Sequence, residues 1–122
     1  MVSSEVTEAA VADLAVDFWK LHRAFERIIV HLDEDRAHRA SAQARFAAAR
    51  LDISLTAAGM RFVRFDGQLL GPELPMETIN ADELADIAGP VVIETIEPAV
   101  LAGDRVVRMG RGVGGRSDVS RN

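Results

Sequence analysis

All nine glycines and all four prolines of this chain lie after residue 58. Glycine and proline disfavour a helix interior by about 1 and about 3 kcal/mol relative to alanine. The chain therefore divides into two halves with different rules. Residues 1–58 are free to be helical throughout. Residues 59–113 are interrupted by turns and carry β-branched runs. The fold class that follows is α+β: an N-terminal helical hairpin or stalk, a helical bundle on dimerisation, then a small all-β head. Residues 114–122 are Gly, Ser, Asp, Arg and Asn with a single valine and read as a disordered tail.

The clearest periodicity is Val11, Leu14, Phe18, Leu21, Phe25, Ile28 and Leu32, with steps of 3, 4, 3, 4, 3 and 4. Such spacing puts all of these side chains on one helix face in the a and d positions of a coiled coil. Phenylalanine at two a positions is bulky for a two-stranded coil and suits a bundle seam. Trp19 and Ile29 flank and widen the stripe. Seven apolar residues so arranged are the expected dimer interface, although packing of one amphipathic helix on its own domain satisfies the same pattern.

The stripe breaks at Asp33-Glu34-Asp35 and resumes out of phase as Ala37, Ala40, Ala44, Ala47/Ala48, Leu51 and Leu55. The slip predicts a second helix with Asp33 as its N-cap and Gly59 as its left-handed C-terminal cap. Beyond it, Met60–Phe65 alternates apolar and basic residues and reads as a strand. Asp66-Gly67 is a hairpin turn signal, with Gln68–Leu70 as the short return. Met76–Ile79 reads as a strand, 81–88 as one or two helical turns, and Val91–Ile96 as the strongest strand. Arg105–Met109 folds back after a turn at Ala102–Asp104.

Composition excludes more function than it assigns. There is no cysteine, hence no disulfide and no thiolate nucleophile or ligand. No apolar run reaches the length of a membrane span, and the expected setting is cytoplasmic. The net charge is −5, and no Lys or Arg lies between Arg64 and Arg105, where nine acidic residues stand. The stretch after it turns basic, with Arg105, Arg108, Arg111, Arg116 and Arg121, but the net acidity argues against general nucleic-acid binding, which needs a clustered basic face. Gly110-Arg-Gly112-Val-Gly114-Gly115 matches a dinucleotide fingerprint, but no helix follows to hold a pyrophosphate. His31, Asp35 and His38 have ligand-like spacing but read as a solvated polar face. No catalytic residues, metal or cofactor are expected, and the chain reads as an interaction protein rather than an enzyme.

With these parts in order, the chain resembles GrpE, the nucleotide exchange factor of Hsp70-type chaperones. Leu21-His-Arg-Ala-Phe-Glu-Arg-Ile-Ile29 is similar to the family's "L..LERA" helix. Gly59, Gly67 and Leu70-Gly71-Pro72 are similar to its entry into the β-domain. Gly103-Asp-Arg-Val-Val-Arg108-Met-Gly-Arg-Gly-Val113 is similar to its closing "G-D/N-R-V-I/L-R-P-A-x-V". The resemblance implies a homodimeric co-chaperone whose β-domain opens the chaperone's nucleotide cleft and releases ADP. It also implies partner contacts at Arg105, Arg108 and Val113. A dimeric adaptor with another protein partner and a small-ligand or carrier module both remain open at this stage.

Overall fold

The computed structural model describes residues 4–117. Helix α1 runs Ser4–Ile29 and helix α2 runs Glu34–Ala57. The break between them has the expected cause. The Asp33 side chain accepts a hydrogen bond from the Arg36 amide at 3.0 Å, closing the first turn of α2, and Glu34 and Asp35 suit its positive end. At the far end the chain makes a Schellman turn. The Met60 amide donates to the Leu55 carbonyl at 3.0 Å and the Gly59 amide to Thr56 at 2.9 Å, with Gly59 at φ 78°. Leu55 and Met60, the pair whose apolar contact usually accompanies this motif, are both buried.

Two compact units divide between Arg61 and Phe62. In the first, the two helices form a hairpin. The His22 ring meets the Ala44 carbonyl at 3.2 Å, which sets the antiparallel register. The second stripe behaves as its sequence predicts. Ala44 and Leu55 are buried, and Ala37, Ala40, Ala47, Ala48 and Leu51 are half-buried.

The second unit contains two three-stranded sheets. In one, β4 (Ala99–Ala102) lies between β1 (Arg61–Val63) and β5 (Arg105–Arg108). In the other, β6 (Gly110–Gly115) lies between β2 (Met76–Thr78) and β3 (Val91–Glu97), parallel to the first and antiparallel to the second. Phe65, Met76, Val92 and Ala99 form the core, with Val63, Leu70, Leu74 and Leu101 against it.

Three expectations are corrected. Strand β1 has three residues rather than six, and Asp66-Gly67 does not return the chain along it. Residues 67–70 run beside β3 instead. The Gly67 amide bonds the Val92 carbonyl, the Val92 amide bonds Gln68, and the Leu70 amide bonds Pro90. The turn is real, with Gly67 at φ 83°, but the longer β3 offers more partners than the short β1. The boundary at 113 also moves. Gly114 and Gly115 pair with Val92 and Val91, so β6 continues two residues into the segment expected to be disordered. The Asn80 side chain fixes its end by bonding both the amide and the carbonyl of Gly114 at 2.9 Å. The last five residues lie outside the described ones.

Strand β6 survives its glycine content because each inward glycine is a seat for a core side chain. A Cβ at Gly110 would stand 2.7 Å from Phe65 and 2.9 Å from the backbone at Ala99 and Glu97. One at Gly112 would meet Met76, and one at Gly114 would meet Leu70 and Leu84. The glycines let large apolar residues lie directly on the strand backbone. They are consumed in packing, which is a second reason to discard the dinucleotide fingerprint.

Candidate functional site

The helical unit turns several large apolar side chains outward. Inside α1 the buried residues are Ala12, Ala15 and Val16, none of them in the a/d stripe. Leu14 is 70% exposed, Leu21 68% and Ile28 58%. Phe25 and Leu32 are also exposed, and Val11 and Phe18 are half-buried. The reason is geometric. Helix α2 packs on the neighbouring column of α1, where Ala15 and His22 stand, so the stripe looks past α2 rather than into it.

Helix α2 adds to this flank. Phe18, Phe46, Ala47 and Leu51, with Gln43, Arg50 and Ser54, line an open groove of about 380 Å³ between the helices. Phe46 is 60% exposed, and the Arg50 guanidinium lies 5.8 Å from its ring centre. Phe46 was not among the expected interface residues. Its signal was present in the sequence: it is the one aromatic residue of an alanine-rich helix, and it falls off that helix's inner stripe. The outward stripe, by contrast, is a contiguous apolar surface of the kind that marks an interaction site.

The three residues that the family resemblance singles out are not gathered on one strand. Arg105 and Arg108 belong to β5 of one sheet, while Val113 belongs to β6 of the other. Arg105 is exposed at the β4–β5 turn and Val113 is half-buried opposite Glu94. Arg108 has a structural task as well. Its guanidinium donates to Glu97 Oε1 at 3.1 Å, and Glu97 is buried. Removal of the arginine would take a charged partner from a buried carboxylate.

A second polar link closes the first turn of this unit. Thr95 is fully buried; its hydroxyl accepts from the Phe65 amide at 3.0 Å and donates to Asp66 Oδ1. Burial pushes the Asp66 carboxyl up, but the Thr95 hydrogen bond and the Arg64 charge outweigh it and hold the group below its ordinary range. Two of the nine acids in the Lys- and Arg-free stretch, Asp66 and Glu97, thus serve the fold.

Among the described residues no three His, Asp or Glu side chains are set to hold a metal ion. His31 lies in the turn between the helices and His38 in α2, so the helix break separates the ligand-like spacing. No described helix is long and apolar enough to cross a membrane. Comparison with protein-family models, with curated proteins and with solved structures found no match.

Proposed function

We propose that the chain is a homodimeric protein-binding scaffold of the GrpE type. Its β-unit engages an Hsp70-type chaperone and favours the open nucleotide cleft. The observation that carries this reading is the outward apolar stripe of α1 on a hairpin that leads directly into a two-sheet β-unit. A hairpin that buries mainly alanine and leaves Leu14, Leu21, Phe25 and Ile28 of one helix exposed is suited to assembly. A β-unit whose core closes on glycine is suited to presenting a rigid surface. Exchange would then be a population shift: the scaffold binds the open cleft more tightly than the closed one and so hastens ADP loss.

Arg105, exposed on the β4–β5 turn, is the residue best placed to meet the chaperone. The test is stopped-flow release of a fluorescent ADP from an Hsp70-type chaperone of the same source. The proposal expects faster release with the wild-type chain and a complex that dissociates on adding ATP. It also expects about tenfold weaker binding for Arg105→Ala, the loss of one charge-assisted contact. Unchanged release with no complex would contradict it. A second reading, a dimeric adaptor for a different protein, is favoured by Arg108, whose engagement with Glu97 gives one of the two matched arginines an internal role.

A further inference from the structure

The groove between the two helices carries a charge pattern that the apolar stripe lacks. We propose that this groove is a docking site for an acidic amphipathic helix of another protein. Of the α1 stripe, only Phe18 borders it; the other lining residues, Gln43, Phe46, Ala47, Arg50, Leu51 and Ser54, all belong to α2. The site therefore goes beyond the surface expected to pair two copies and shares one residue with it.

Shape admits a helix. The lining runs along α2 from Gln43 to Ser54, about 16 Å of axis at 1.5 Å per residue, or three turns. A helix laid there can seat apolar side chains at i, i+4 and i+7 against Phe18, Ala47 and Leu51. Phe46 stands at the outer edge as a wall. It is 60% exposed, and covering it with an apolar side chain removes that area from water.

Charge identifies the occupant. Arg39, Gln43, Phe46 and Arg50 follow one another at steps of 4, 3 and 4, so they form one column on the groove side of α2. Arg39 and Arg50 are exposed. Among the described residues neither has an ion-pair partner, and the Arg50 guanidinium lies over the Phe46 ring. Arg36, a turn earlier on the same side, is held by Asp33 at 3.3 Å. No acid stands on this flank, because Glu34, Asp35 and Asp52, the acids of α2, point to other sides of the helix. Two guanidiniums about 16 Å apart along the axis beside an apolar floor complement a helix with carboxylates three turns apart and apolar residues between. The far edge of α1 argues against an anionic bilayer as the occupant. Beyond the stripe stands exposed Asp17, which a flat anionic surface resting on this face would meet and a single helix seated in the groove would not.

The test uses the full chain and a fluorescein-labelled model helix of about 18 residues, with leucine on one face and glutamate beside it, read by fluorescence anisotropy. The same peptide with lysine in place of glutamate is the control. The glutamate helix should bind, and the lysine helix should bind at least about tenfold more weakly. Arg39→Glu with Arg50→Glu, both at exposed positions, should reverse that preference, a gain that a misfolded variant could not show. Phe46→Ala should weaken the glutamate helix without changing which peptide is preferred. Equal binding of the two peptides, binding of neither, or a preference that the double variant leaves unchanged would overturn the proposal. Vesicles of phosphatidylglycerol and phosphatidylcholine are tested alongside; if they capture the wild type but not the double variant, and neither peptide binds, a lipid surface replaces the protein partner. Leu14, Leu21 and Ile28 are untouched in these variants, so the dimeric reading stands or falls separately, on the solution mass.

Discussion

The helical hairpin and the β-unit solve opposite packing problems. In the hairpin the buried residues are mostly small, Ala12, Ala15, Val16 and Ala44 with Leu55, while Leu14, Leu21 and Phe46 are exposed. In the β-unit the bulky side chains face in, and Phe65, Met76 and Val92 rest on a strand stripped to glycine. One unit is complete in a single chain. The other has an apolar face that a single chain does not fill. The lesson is that side-chain size alone does not locate a core. What matters is whether the facing backbone leaves room for it, and here glycine makes that room in one unit and a second chain would make it in the other.

If the contrast holds, small changes inside the β-unit should cost stability, and large changes on the hairpin flank should cost assembly instead. The largest stability effect is expected for Arg108→Ala, which leaves Glu97 buried without its 3.1 Å partner. About 3 kcal/mol of unfolding free energy should be lost in urea melts. Arg108→Met with Glu97→Gln should cost less than Arg108→Ala alone, because position 97 then carries no buried charge.

Gly110→Ala comes next. Its methyl group would press on the Phe65 ring and on backbone atoms at Ala99 and Glu97. The ring can shift but the backbone cannot, so a loss of about 2 kcal/mol is expected. Asp66→Asn should be milder, about 1 kcal/mol near neutral pH, because the carboxylate is more than a third exposed. Its sign with pH is fixed. The folded Asp66 carboxyl titrates below its unfolded value, so its contribution is complete above about pH 4 and fades as pH falls through the folded pKa. Melting temperatures of wild type and variant should therefore converge in acid.

The smallest stability effect is expected where the side chains are largest. Leu21→Glu with Phe25→Glu touches two exposed residues, so the helical circular dichroism of the single chain should persist. The solution mass should nevertheless halve.

Much of the hairpin was legible in the sequence because helix signals are local. The Asp33 cap, the Gly59 terminator and the phase slip between the two stripes are each written within a few residues, and each stands where expected. The β-unit was harder. Which strand receives residues 67–70, and whether Gly110–Gly115 pairs at all, depends on partners far along the chain. Glycine at alternate positions looks like disorder until Phe65, Met76 and Leu84 are known to lie on it. Arg108 was legible as a charged strand residue but not as the partner of Glu97, since that pair forms only once β3 and β5 are folded. The candidate interface was half visible. The α1 stripe is periodic and stands out, whereas Phe46 of α2 has no periodic neighbours to announce it.

The most direct test of this account is the solution mass of the wild-type chain beside Leu21→Glu/Phe25→Glu, by size exclusion with light scattering over a range of concentrations. The account predicts twice the chain mass for the wild type and the single-chain mass for the variant, with matching helix content. A wild-type chain that stays monomeric at every concentration would show that the outward stripe is not an interface between copies, and the central claim would fall.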